Sequence, residues 1–413
     1  MARMMTGVAL DWRREFNRFW VSQSASQIVT QAITVTVPLL AITYLETPSD
    51  QVGFLSALQY APVLVITPLL GAYIDGVRRR PLMVGAHLGR SLVFIVATAI
   101  FAVGAMSTTT LMMLVLCAGL FTAAFDVAIQ TFVPNTVPRD GLTWANARIQ
   151  GSLSFAQVLG PLLGAGLIAI GTPWPTTALF AAGFLFAAML LLRNRAVEIV
   201  QPRQALPFVS RLTEGVRIAF RSRVLRTLLM SSTWFNTFEQ AFMTTFLVFA
   251  VREVGLDSTD VALVLGGGAI GAVVGAAVAS RMARGRRTPI SRLVVYSGIS
   301  AVAPMTLAWL QQNNLATVSI SLAVFFFYGA GLTAYNVEAI SMRQRNMPVN
   351  AQGKTGAAYR MFAYGALALG GLLSSALVGL FDLRAAMFVA TGLLAAGWVV
   401  LVPIYVRGLK DAM

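Results

Sequence analysis

Along the chain, apolar runs bounded by charged residues or by Gly and Pro recur from residue 19 to residue 406. A helix needs about 20 apolar residues to cross the hydrocarbon core of a bilayer, so each run is read as one span. The pattern predicts twelve transmembrane helices, at 19–43, 50–75, 82–104, 109–133, 146–170 and 174–192, then at 226–250, 259–281, 290–310, 315–341, 356–380 and 385–406. Between the two sets of six lies one long polar stretch, Arg193 to Arg223, rich in Arg and carrying Pro202 and Pro207. The expected organisation is an N-terminal six-helix bundle at 1–193, a cytoplasmic linker at 194–224 and a C-terminal six-helix bundle at 225–413. In the linker, Ser210 to Phe220 puts Leu212, Val216 and Ala219 on one helical face and Arg211, Glu214 and Arg217 elsewhere. That is the pattern of a short amphipathic helix on the inner membrane surface, or of a solvated loop.

Composition agrees with an all-α integral membrane protein. Of the 413 residues, 57% are hydrophobic and 11% charged, against roughly 25% charged in soluble domains. The 35 Gly residues suit helices whose backbones approach closely. Met1 to Arg18 is basic and polar and the first apolar run is a full span, so no cleavable leader is expected.

The net charge of +15 raises the question of nucleic acid, but that partner needs basic residues gathered on one surface. Here they fall in bursts between spans. With a cytoplasmic N-terminus, only Arg252 and Arg384 fall outside, while Arg90, Arg148 and Arg360 lie near the inner ends of spans. The positive-inside rule therefore places both termini in the cytoplasm, and nucleic acid is not an expected partner. The single cysteine, Cys117, cannot form an internal disulfide, and the single histidine, His87, lacks partners for a metal site, so both are expected bystanders. With no Asp-rich metal motif and no catalytic His or Ser-centred motif at a membrane boundary, neither an enzyme nor a cofactor is expected. Nor does a filter-like polar repeat suggest a channel.

A constant offset between the halves pairs Gly119 with Gly331, Asp126 with Glu338, and Arg148 with Arg360. Two parallel six-span halves with a cavity at their interface are the repeat architecture of one large class of secondary transporters. The loop after the second span, Gly71-Ala-Tyr-Ile-Asp75-Gly-Val-Arg78-Arg79-Arg80, resembles the GxLaDRxGRR signature of the major facilitator superfamily. Gly76 and Arg78 depart from that pattern, whereas Gly71, Asp75, Arg79 and Arg80 match it. In the fifth span Ala147, Ala156, Gly160-Pro161 and Gly164-Ala165 follow the superfamily's antiporter motif, with Ala for three of its Gly residues. Phe125 to Pro134, Pro138 to Leu142 with Ala145-Asn-Ala147, and Val251 to Leu256 narrow the resemblance to proton-driven efflux proteins similar to macrolide exporters and the enterobactin exporter.

The resemblance implies the twelve-helix major facilitator fold, two pseudo-symmetric bundles acting as a monomer in the cell membrane. It also implies export of a drug, siderophore or secondary metabolite with the proton gradient as energy source and no cofactor; a proton-substrate symporter importing a small solute is the alternative. Gly71, Asp75, Arg79, Arg80, Asp126 and Arg148 would form a cytoplasmic gate, with Gly160, Pro161 and Gly164 as the antiporter stripe. Ionisable groups inside spans are costly and mark function by default. Glu338, near Arg343 and Arg360 in sequence, is expected in the gate and is the second candidate for proton coupling. Glu239 is the first candidate: it falls mid-span, three residues after Asn236 and with no base within two turns. A carboxyl so isolated changes protonation as its surroundings wet and dry, or else serves as charge partner for a cationic substrate. Gln27, Gln31, Phe125, Asn236, Tyr335 and Asn336 are expected to line a substrate cavity that mixes amides with aromatics. The Gly267, Gly271, Gly275 run is expected to serve packing.

Overall fold

The computed structural model describes residues 2–71, 74, 77–138, 141–169, 171–198, 216–282, 288–346 and 352–409. Asp75 lies outside them, as does most of the expected linker helix; 216–221 is helical. Twelve long helices are described: α1 (Ala2–Thr43), α2 (Ser49–Gly71), α3 (Arg79–Ala102), α4 (Thr108–Thr136), α5 (Leu142–Ala169), α6 (Pro173–Leu192), α7 (Arg223–Arg252), α8 (Ser258–Met282), α9 (Pro289–Val302), α10 (Leu315–Asn346), α11 (Gln352–Leu380) and α12 (Leu383–Gly408). No strand occurs among the described residues. Among the described residues ten candidate spans are long and apolar enough to cross a membrane by length and composition alone. α2 and α7 are not in that set; the middle of α7 carries Asn236, Glu239 and Gln240.

Two helices add detail to the expected spans. The first helix starts at Ala2, so the basic, polar segment before residue 19 continues the helix, whose candidate span begins at Trp12. The ninth span changes character at Val302, and Ala303–Trp309 is a 3-10 helix with Pro304 in its first turn. Proline lacks the N–H that would continue the α-helical ladder there. Helix starts follow ordinary capping chemistry, in which a side-chain oxygen satisfies an otherwise unpaired amide. Ser107 accepts from the Thr110 amide, Ser222 from Leu225, Thr288 from Ser291 and Asp382 from Ala385.

Two compact units divide the chain. The first comprises 1–33, 61–160 and 172–212; the second comprises 34–60, 161–171 and 213–413. These units are drawn by packing, so they do not follow the sequence division at the linker. In the first, α3 packs on α4 and α6, around a core that includes Phe16, Phe19, Met83, Phe125, Phe132 and Leu191. Gly160 brings α5 onto α1: a Cβ there would lie 2.9 Å from the Ala32 amide nitrogen and overlap the Gln31 side chain. That is the close approach a small residue permits.

In the second unit α7 packs on α11 and α12, and α9 on α10 and α12. The most extensive pairing, α8 with α10, is a backbone seam. Methyl groups added at Gly271 and Gly275 would overlap the carbonyl oxygens of Phe326 and Ala330, one at Gly267 would sit 2.7 Å from the Leu322 oxygen, and one at Gly329 would overlap the oxygen of Gly268. The glycine run thus has the packing role expected of it.

Candidate functional site: carboxylates within the helices

Glu239 stands in the middle of α7, and its Oε1 accepts a hydrogen bond of 2.5 Å from the Tyr328 hydroxyl on α10. The aromatic neighbours come from the same two helices. Phe242 and Phe325 have ring centroids 5.7 and 5.8 Å from Tyr328, and Phe246 stacks 4.7 Å from Phe325. Tyr60 lies within electrostatic reach of Glu239, and its ring is 6.2 Å from that of Tyr364. Among the described residues no Arg or Lys pairs with Glu239. Glu239 is half-buried as a residue and Tyr328 is buried, so the carboxyl is held by one fixed donor. Asn236, one turn earlier, makes only a long 3.5 Å bond to the Ala363 carbonyl.

Glu338 is different. Both its oxygens are taken by Arg292 of α9, Nε to Oε2 and Nη2 to Oε1, each at 2.9 Å. Both residues are 6% exposed. A planar guanidinium matches a carboxylate with two parallel bonds, which fixes both groups in place. Among the described residues Glu338 pairs with Arg292 and not with the expected neighbours Arg343 and Arg360; Arg343 lies over the Tyr359 ring at 4.9 Å. A carboxylate clamped at both oxygens suits a structural tie between α9 and α10 better than a proton carrier.

In the first unit Asp126 is buried and within electrostatic reach of Arg90, which is itself buried. Arg90 Nη2 and His87 Nδ1 are hydrogen-bonded at 2.7 Å, and the guanidinium lies over the rings of Phe184 and Phe125 at 4.4 and 5.0 Å. His87, expected to be a bystander, is therefore part of the buried network around this cation. Cys117 is exposed.

Of the expected gate, Asp75 lies outside the described residues and Gly71 ends α2. Arg79 is buried. Arg80 is spent within its own unit, Nε donating to the Leu191 carbonyl at 3.1 Å and Nη2 to that of Leu192 at the end of α6. In return Glu198 accepts from the backbone amides of Arg79 and Arg80 at 2.6 and 2.9 Å, capping α3 where Arg78 supplies no side-chain cap. Arg148 lies over Trp20 at 4.1 Å and Trp144 at 5.0 Å and donates to Asn17 at 3.2 Å.

The expected cavity residues divide. Gln27, Gln31 and Asn236 are half-buried and Asn336 is exposed, as lining residues can be. Phe125 and Tyr335 are core residues in this structure instead, 1% and 2% exposed. Phe125 packs on His87 at 4.4 Å; Tyr335 stacks on Phe235 at 5.7 Å and accepts from the Tyr405 hydroxyl at 3.2 Å. In the antiporter stripe Gly160, Gly164 and Ala165 are buried and Pro161 sits inside α5.

Arg292, Tyr328 in its bonding role and Tyr60 were missed as site residues. One signal was present for Arg292: the offset that pairs Asp126 with Glu338 also pairs Arg80 with Arg292.

Long apolar helices with few ionisable groups, most of them paired or near helix ends, define a multi-pass membrane protein. Residues 19–371 match the family model of the Major Facilitator Superfamily, and the chain belongs to that superfamily. It is a membrane transporter of small molecules and not an enzyme. The chain is 28% identical over 373 residues, 85% of each protein, to the multidrug efflux pump Tap of Mycobacterium tuberculosis. It is 23% identical over 228 residues to macrolide efflux protein A of Streptococcus pyogenes, covering 54% of this chain and 55% of the other. Among solved structures, the nucleoside transporter NupG superposes with a TM-score of 0.71 at 11% identity, over 96% of this chain and 99% of the other. A bacterial homologue of the iron transporter ferroportin, in its inward-facing state, gives 0.70 at 15% identity over 96% and 99%. At such identities these two structures speak for the fold alone.

Proposed function

We propose that this protein exports hydrophobic or amphiphilic small molecules against their gradient in exchange for protons, by alternating access. In this reading it acts as a monomer in the cell membrane, with both termini in the cytoplasm and the halves 1–193 and 225–413 as the moving bodies. The observation that carries it is Glu239: a mid-helix carboxyl with one tyrosine donor and, among the described residues, no cationic partner. Such a group is paired well enough to persist in the membrane, yet free to gain and lose a proton. Protonation from outside favours release there and return to the inward-facing state; loss of the proton to the cytosol restores the substrate site. The names of the similar pumps and the antiporter stripe support export.

The test is transport in proteoliposomes of known orientation under an imposed pH gradient, with macrolides and other lipophilic drugs as probes. Accumulation in the direction of export separates this reading from proton-coupled import. Glu239→Gln keeps the size of the side chain and removes its titration, so it abolishes uphill transport and leaves downhill exchange. Tyr328→Phe keeps the titrating group and retains uphill transport at a reduced rate. Normal uphill accumulation by Glu239→Gln rejects Glu239 as the carrier. A binding loss confined to cationic probes makes it a charge partner for substrate instead.

A further inference from the structure

Where the start of α1 meets the end of α6, the first unit has a cleft of about 460 Å³ lined by Arg14, Asn17, Arg18, Val21 and Leu190. One rim is basic and fixed. Arg18 donates through Nη1 to Glu15 Oε1 at 2.6 Å and to the Arg193 carbonyl at 3.0 Å. The other Glu15 oxygen accepts from the Arg195 amide at 2.5 Å, and the Asn194 side chain donates to the Glu15 carbonyl at 2.7 Å. Glu15 is thereby used up in holding the chain after α6 against α1, and the side chains of Arg14, Arg193 and Arg195 stand exposed around it. Arg14 makes no hydrogen bond or ion pair with any described residue. Arg14 and Arg18 thus line the cleft, with Arg193 and Arg195 exposed on the segment that Glu15 holds.

The apolar part of the lining is Val21, 40% exposed, and Leu190. The depth is that of a membrane surface. Trp12 and Trp144, rings 6.0 Å apart, and Trp20, which donates to the Arg148 carbonyl, gather at this end of the unit, and indoles concentrate at headgroup level.

We propose that this cleft is a binding site for an anionic phospholipid, the phosphate seated between Arg14, Asn17 and Arg18 and an acyl chain lying along Val21 and Leu190. Charge complementarity selects the headgroup, and the apolar lining selects a lipid over a free anion. Basic clefts at helix ends on the inner leaflet recognise such headgroups at about 1 kcal/mol per basic residue, which two arginines turn into more than tenfold in affinity. The inference takes from the proposed function only that the start of α1 lies at a membrane surface.

Native mass spectrometry of the delipidated full-length protein in micelles tests it, titrating dioleoylphosphatidylglycerol, dioleoylphosphatidylcholine and inorganic phosphate separately. The expected result is a preference for phosphatidylglycerol over phosphatidylcholine on the order of tenfold, with inorganic phosphate failing to compete. Arg14→Gln with Arg195→Gln, neither of which removes a side-chain bond in the structure, should erase that preference, and Arg14→Lys should keep most of it. Arg281→Gln with Arg345→Gln removes equal charge from exposed positions in the second unit and should change nothing. Equal losses from the two pairs would overturn the site in favour of bulk charge, and competition by phosphate would make it a free-anion site. Absence of any headgroup preference in the parent protein would overturn it outright. Micelles have no sidedness and no pH gradient, so the result is independent of whether export or proton coupling holds.

Discussion

Glu338→Gln leaves the Arg292 guanidinium, 6% exposed, with no countercharge at either nitrogen that now holds the carboxylate. The pair is two-pronged, and its side chains are 7% and 8% exposed, so solvent screens it little. Removing one partner of a buried pair costs about 3–5 kcal/mol, because the remaining charge loses its countercharge while it stays desolvated. Arg292 keeps other contacts, among them one of 3.5 Å to the Met282 carbonyl, but a neutral acceptor does not replace the charge of a carboxylate. For comparison, a hydrogen bond between membrane helices is worth about 0.6 kcal/mol on average, so Glu338→Gln should destabilise several times more than Tyr328→Phe. Replacing both partners by apolar groups, Arg292→Met with Glu338→Leu, removes both desolvation penalties and should return stability to within about 1 kcal/mol of the parent. The assay is a double-mutant cycle measured by SDS-induced unfolding in mixed micelles, read from tryptophan fluorescence. Strictly additive losses, or a Glu338→Gln loss under about 1 kcal/mol, would refute the reasoning. The same double variant decides the role of the acid: a structural tie predicts continued uphill transport, a proton carrier predicts none.

Other outcomes follow from named contacts. Gly271→Ala forces a methyl into the Phe326 carbonyl and should lower folded yield sharply, whereas Gly392→Ala, with open space around it, should be neutral; fluorescence-detected size exclusion compares them. Glu198→Ala uncaps α3 and should cost about 1 kcal/mol, seen as faster tryptic cleavage near residue 198 in the detergent-solubilised protein. In a Cys117→Ser background, Gln312→Cys should label from outside intact cells and Val197→Cys only after permeabilisation; the reverse pattern would sink the orientation.

The all-helical membrane architecture was legible because run length against bilayer thickness is a one-dimensional criterion. The break at Val302 was legible only in hindsight, since Pro304 lies inside an otherwise apolar run and Pro is common in spans. Glu239 could be singled out from its own helix, where no base lies nearby, but its donor, Tyr328, sits on α10 and no local pattern joins them. The same distance hid the bond from Arg292 to Glu338: sequence proximity favoured Arg343, whereas helix packing brings in α9. Phe125 and Tyr335 show the limit of helical periodicity. It says which residues share a face, and it is silent on whether a neighbouring helix closes that face, as the core does over both rings.

The seam between α8 and α10 also governs how this sequence can drift. Where carbonyl oxygens of one helix meet the Cα atoms of the other, no side chain can be traded for another of similar size, because the contact is made of main chain. Positions 267, 271, 275 and 329 are therefore closed to almost every substitution, while Ile270, Val273, Val274 and Phe327, exposed on the same two helices, accept any apolar replacement. Random variation in this pair should be partitioned by helical phase, with adaptation to a new membrane composition free on one side and forbidden on the other.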